Sequence, residues 1–167
     1  MFDRRLRLVA LLTALAALLL GACGNSESST TTTGADNEQG MEFAFGEPAD
    51  PADADRTVEI VASDDLSFDP ANLTVTVGET VTFRVVNAGQ VPHDFTLGDQ
   101  MTQDEHEAEM AEMDGMTMSD EANAVTVAVE ETKELTWRLT EPGTVLIGCH
   151  QPGHYAAGMK VEITVES

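Results

Sequence analysis

Residues 143–166 read GTVLIGCHQPGHYAAGMKVEITVE, and this stretch near the C-terminus decides the fold. Val145 and Ile147 alternate with other residues before a loop that contains Pro152 and Gly153. Beyond the loop, apolar and polar residues alternate again from position 160 to 166. Alternation with a period of two predicts strands that each bury one face. We therefore expect two strands joined by a hairpin-like loop.

The same alternation extends upstream to Thr57. It appears at 58–62, 73–77, 81–85, 95–97, 125–129 and 135–139, with Gly, Asn, Asp and Pro residues between the runs. Seven or eight strands within about 110 residues predict an all-β domain, either a Greek-key sandwich or a small barrel.

The N-terminus has the features of an export signal. Three arginines precede an apolar run over 8–20, which is short for a membrane span and leaves a short anchoring helix as the alternative. The run ends in Leu20-Gly21-Ala22-Cys23, which resembles a bacterial lipobox and implies lipidation of Cys23. We expect a signal peptide at 1–22 and an exported protein, anchored by lipid to the outer face of the cell membrane or in the periplasm.

Residues 23–56 are predicted to form a flexible tether, and 57–167 the folded domain. The tether is rich in Ser and Thr and then in Pro, Ala and Asp, which bury too little apolar surface to order a chain. Phe43 and Phe45 are exceptions, and the sequence leaves open whether they dock on the domain.

The chain is strongly acidic, with 30 acidic against 8 basic side chains and a net charge of -22. Such a surface excludes nucleic acid as a partner and attracts cations or basic proteins. If Cys23 carries lipid, Cys149 is a lone thiol in an exported protein, and metal coordination is one reason to keep such a thiol.

Three potential copper ligands lie in the C-terminal loop: Cys149, His154 and Met159. A second histidine, His93, follows Pro92 at the start of a predicted strand. A thiolate, two imidazoles and a weak thioether describe a type 1 (blue) copper site. The alternatives are a surface histidine, an inert buried thiol and a methionine that only packs in the core. His150 adjoins the thiol and is expected to face away from the metal.

The segments Val91-Pro92-His93-Asp94-Phe95 and Cys149-x4-His154-x4-Met159 resemble the cupredoxin family, the plastocyanin/azurin-like blue copper proteins. The resemblance covers 57–167 and implies a Greek-key β-sandwich that binds one type 1 copper. It also implies that His93, Cys149 and His154 are strong ligands and Met159 a weak axial one. Many members have Asn where this chain has Asp94; a charged Asp94 would favour Cu(II), whereas a protonated one would behave like Asn.

An insertion at about 100–123 is a second departure from the family pattern. Its Glu, Ala and Met content predicts a mostly helical segment. His106, Met110 and Met113 would share one helix face. This face would either form a second Cu(I) site or pack on the sandwich as an ordinary apolar stripe.

These features favour a membrane-tethered, monomeric one-electron carrier that meets redox partner proteins through a basic docking face on the partner. The alternative is copper buffering, delivery or tolerance at the cell surface, which the Met/His insertion favours. We expect no enzyme activity, because a copper oxidase or nitrite reductase needs a second histidine-rich copper site and the chain has only 4 histidines. A site shared between subunits is left open.

Overall fold

The computed structural model describes residues 43–113 and 120–167, which form ten strands and one α-helix. The predicted signal peptide, Cys23, most of the predicted tether and residues 114–119 lie outside the described residues. The elements are β1 (Gly46–Pro48), β2 (Arg56–Ser63), β3 (Ser67–Asp69), β4 (Asn72–Thr76), β5 (Thr80–Asn87), β6 (His93–Gly98), α1 (Gln100–Glu112), β7 (Ala124–Val127), β8 (Thr132–Leu139), β9 (Gly143–Gly148) and β10 (Lys160–Glu166).

The strands form two five-stranded sheets, with the orders β1-β8-β5-β2-β3 and β4-β10-β9-β6-β7. Most neighbours are antiparallel, whereas β2 pairs with β5 and β4 pairs with β10 in parallel. The predicted all-β, cupredoxin-like sandwich with a helical insertion is therefore confirmed. Sequence alternation located all the strands except β1 and β3, which have only three residues each.

The core lies between the inner faces of the two sheets. In β10, Val161, Ile163 and Val165 are buried while the residues between them are exposed. The largest apolar side chains of the core include Trp137, Phe83 and Phe95, each with no exposed surface. The period-two pattern of the sequence thus corresponds to one buried face on this strand.

The folded domain begins earlier than the predicted boundary at Thr57. Strand β1 pairs with β8, with Gly46 opposite Leu139. Phe45 is buried and stacks on Trp137 at 5.3 Å between ring centroids, and Phe43 meets the same indole edge-on at 5.0 Å. Gly46 has a φ of +150° and lies so close to Trp137 and Arg138 that a Cβ atom would collide with them. These contacts order a segment that its polar composition predicted to be a tether.

Helix α1 occupies the first half of the insertion. Asp99 caps it by accepting a hydrogen bond from the backbone N–H of Thr102 at 2.8 Å. One face of α1 packs against β6 and β9, so the helix lies beside the strands that lead into the C-terminal loop. In the two described ranges, no helix has the length and apolar character needed to cross a membrane.

Candidate metal centre

The predicted copper ligands lie at one end of the second sheet. His93 is the first residue of β6, and Cys149 directly follows β9. His154 lies in the loop between β9 and β10, and Met159 directly precedes β10. Because β6 and β9 are hydrogen-bonded neighbours, the sheet brings His93 next to the loop although 56 residues separate it from Cys149.

The side chains of His93, Cys149 and His154 converge. The Cys149 sulfur lies 3.3 Å from Nδ1 of His154 and 3.8 Å from Nδ1 of His93. The three potential ligand atoms all lie within 4.8 Å of one another. One ion fits among them, because bonds from a metal to nitrogen and sulfur are about 2.0 to 2.3 Å long, as in zinc sites. A thiolate with two imidazoles is a donor set that copper favours.

Met159 is held at the same loop by its backbone. Its carbonyl accepts a hydrogen bond from the Cys149 N–H at 3.1 Å, and its N–H donates to the His154 carbonyl at 3.0 Å. Its side chain is fully buried within the core. Met159 thus adjoins two of the converging residues, and its role as the axial ligand stays a prediction.

Burial favours the neutral forms of Cys149 and His93. Cys149 is fully buried, and this burial raises the pKa of its thiol from 9.0 to about 12 although the backbone N–H of Asp94 donates to the sulfur at 3.3 Å. Burial also lowers the pKa of His93, with a smaller contribution from His154. A metal must therefore displace the thiol proton but meets a neutral imidazole at His93.

Asp94 braces the loop from the side of β6. Its Oδ1 accepts hydrogen bonds from the Thr126 hydroxyl at 2.8 Å and from Nε2 of Gln151 at 3.0 Å, and its Oδ2 lies 3.1 Å from the same nitrogen. The side chain thus joins β6, β7 and the C-terminal loop. Sequence reasoning singled out Asp94 but missed Gln151, whose partner is distant along the chain.

His150 lies outside the converging group and faces α1. Its Nδ1 lies 2.7 Å from a carboxylate oxygen of Glu107, and its Nε2 lies 2.8 Å from the side-chain oxygen of Gln103. Tyr155 stacks on its ring at 4.5 Å between centroids. Burial lowers the pKa of His150. Sequence reasoning did not find this network, because no local pattern predicts which helix residues meet a particular loop.

The predicted second Cu(I) group is only partly brought together. His106 and Met110 are buried on the face of α1, whereas Met113 is half-buried at the C-terminal end of the helix. The His106 ring meets the His150 ring edge-on at 4.8 Å. The second Cu(I) site at His106, Met110 and Met113 stays a prediction.

A sequence model of the copper binding proteins of the plastocyanin/azurin family matches residues 55–166. The chain belongs to this family. The thiol and two imidazoles that converge at the end of the second sheet are the donor set expected of a family that binds copper. The protein is therefore a copper-binding protein. The ligand pattern by which the sequence resembles the cupredoxins lies within the matched residues.

Individual family members are similar over most of the chain. The copper-resistant cuproprotein CopI of Rubrivivax gelatinosus is 41% identical over 121 residues, which cover 72% of this chain and 73% of that protein. CopI of Pseudomonas aeruginosa is 34% identical over 151 residues, which cover 74% and 83%. Among solved structures, the "blue" copper protein auracyanin A of Chloroflexus aurantiacus aligns with a TM-score of 0.54 and 29% identity, covering 66% of this chain and 98% of that one.

Proposed function

We propose that this protein is a copper-tolerance protein that binds and buffers copper outside the cytoplasm, as a binding protein rather than an enzyme. The observation that carries the proposal is the similarity to relatives named copper-resistant cuproprotein in three organisms. The converging thiol and imidazoles supply the copper-binding chemistry that this role needs.

The partial exposure of one ligand suits uptake and release of an ion. His93 and Cys149 have no exposed surface, whereas His154 is half-buried. An ion would therefore arrive and leave past His154, while the sulfur stays shielded from solvent oxidants. When bound, copper can alternate between Cu(I) and Cu(II) in this donor set.

The charge of the chain supports capture of the ion. A net charge of -22 raises the local concentration of cations around the protein. The insertion adds thioether and imidazole groups, which are ligands for Cu(I). Lipid attachment at Cys23 would hold this capacity at the membrane surface, where external copper enters.

Electron transfer is the second candidate function. It is favoured by the similarity to auracyanin A, a "blue" copper protein, and by a centre whose sulfur and imidazole nitrogens lie within 4.8 Å of one another on paired strands and a hydrogen-bonded loop. A preorganised centre needs little rearrangement when the copper changes oxidation state. In this role the protein would act as a monomer and meet basic redox partners through its acidic surface.

Growth of a copper-sensitive bacterial host tests the tolerance role. The full chain should raise the copper concentration that the host survives, and Cys149→Ser should abolish the gain because the ligand set loses its sulfur. Glu162→Gln is the control, since this side chain is exposed in β10 and is not one of the predicted ligands. If Cys149→Ser protects the host as well as the unaltered chain does, the proposal is wrong.

Anaerobic Cu(I) titration separates the two roles. A buffer should bind a second Cu(I) through the insertion and release copper to a competing chelator. An electron carrier should bind one copper and keep it through repeated reduction and reoxidation. The double variant His106→Gln/Met110→Leu should remove the second binding event and leave the first. If the variant still binds two Cu(I) ions, the insertion is not the second site.

A further inference from the structure

One nitrogen of His93 has no hydrogen-bond partner among the described residues. Nδ1 faces the Cys149 sulfur and is therefore the atom available to copper. Nε2, on the far side of the ring, is buried and makes no hydrogen bond. When Nδ1 binds metal, Nε2 carries the proton, and a buried N–H normally requires an acceptor.

A carboxylate lies directly beyond this nitrogen. Oδ1 of Asp64, in the turn between β2 and β3, is 3.5 Å from Nε2 of His93. This separation is slightly too long for a hydrogen bond, so a movement of a few tenths of an ångström would complete one. Asp64 is 43% exposed, whereas His93 has no exposed surface, so the carboxylate lies between the ring and solvent.

The neighbouring loop holds the carboxylate in this place. The backbone N–H of Gln90 donates to both oxygens of Asp64, at 2.9 and 2.8 Å. Gly89 leaves room for it, because a Cβ at that position would lie 2.1 Å from Oδ1 of Asp64 and 3.1 Å from Nε2 of His93. The loop itself is fixed by Asn87, whose side chain accepts from the Gly89 N–H at 2.8 Å.

We propose that Asp64 is a positioning residue of the copper centre, which accepts a hydrogen bond from Nε2–H of His93 and so orients the ring and increases its basicity. Carboxylates commonly act in this way on metal-bound histidines, where they fix the tautomer and strengthen the ligand. The proposal rests on copper binding at His93 and not on the tolerance role.

A negative charge at this position has a direct electrostatic consequence. It stabilises Cu(II), with the higher charge, more than Cu(I), and a more basic imidazole acts in the same direction. Replacing the carboxylate with a neutral amide should lower the preference for Cu(II) by about tenfold at most, because solvent partly screens Asp64. For one electron, a tenfold change corresponds to about 59 mV in reduction potential.

The reduction potential of the copper-loaded protein is the first test. Asp64→Asn should raise it by an amount equivalent to about threefold to tenfold in the Cu(II)/Cu(I) preference. Gly89→Ala should raise it too, because the added methyl displaces the carboxylate. Asp65→Asn is the matched control: it makes the same charge change one residue away, on a carboxylate that faces Ser63 and Ser67 instead.

Nuclear magnetic resonance of the diamagnetic Cu(I) protein, with ¹⁵N-labelled histidine, is the second test. The Nε2 proton of His93 should be shifted downfield and exchange slowly with water in the unaltered chain and in Asp65→Asn. In Asp64→Asn it should move upfield and exchange faster. Identical proton signals in all three proteins, or equal potentials for Asp64→Asn and Asp65→Asn, would overturn the proposal, and neither result depends on growth in copper.

Discussion

The metal-free protein should lose stability above pH 9 because of Cys149. Burial raises the pKa of its thiol from 9.0 to about 12, so the folded state keeps a proton that the unfolded chain releases. Stability therefore falls as pH rises between these two values, and the contribution of Cys149 is complete only below pH 9. Copper binding removes the effect, since the bound sulfur is a thiolate.

The size of the effect follows from the two pKa values. Each factor of ten in proton affinity is worth about 1.36 kcal/mol, so the full effect is about 4 kcal/mol. At a pH of about 10.5 the unfolded thiol is already ionised and the folded one is still protonated, so the free energy of unfolding should be lower by about 2 kcal/mol than at pH 8.

Urea unfolding of a form that begins at Gly24 measures this effect, with the metal-free protein compared with Cys149→Ser at each pH. Other groups contribute equally to the pH dependence of both proteins, so the relevant quantity is the difference between the two pH dependences. The serine variant should lose about 2 kcal/mol less between pH 8 and 10.5. If both proteins lose stability in parallel, the thiol is not held neutral by burial and the account is wrong.

Three further changes test the fold and the centre. Phe45→Ala should lower the free energy of unfolding by about 3 kcal/mol, because it leaves a cavity beside the buried indole of the core. Asn87→Ala should lower the free energy of unfolding by about 2 to 3 kcal/mol, since the buried amide of Asn87 donates to the carbonyls of Val91 and Val127 at 2.8 and 3.0 Å. Cys149→Ser should remove the intense visible band and the narrow copper hyperfine splitting of the loaded protein, measured by absorption and electron paramagnetic resonance.

Their controls use positions outside these contacts. Val129→Ala, at a side chain that is 39% exposed, should change stability by no more than about 0.5 kcal/mol. An equally small effect of Phe45→Ala would mean that the segment before β2 does not belong to the core. A visible copper band that persists in Cys149→Ser would place the copper elsewhere in the chain.

The longer strands and the converging ligands could be predicted because their signals are local. Alternation located β10 and its buried face, since side chains of a strand point to opposite sides in turn. Cys149, His154 and Met159 lie within one loop, so their residue types and close spacing indicated a copper centre. His93 was found by its setting after Pro92, and the pairing of β6 with β9 brings it to the loop.

Residues 43–56 show where local composition misleads. Their polar and acidic character predicted a tether, but the side chains of Phe43 and Phe45 dock the segment on Trp137. The sequence did not show which residue these two aromatic side chains would contact, because Trp137 lies more than eighty positions away. Burial against a distant residue outweighs local propensity here.

The sequence by itself determined the all-β class, the helical character of the insertion and the donor set for copper, because these features depend on periodicity, composition and short motifs along the chain. Only the tertiary structure decided that Asp64 faces His93, that Gln151 bonds Asp94 and that α1 covers His150. Each of these contacts joins two elements that chain folding brings together, and their geometry depends on sheet pairing and packing rather than on any local pattern of residues.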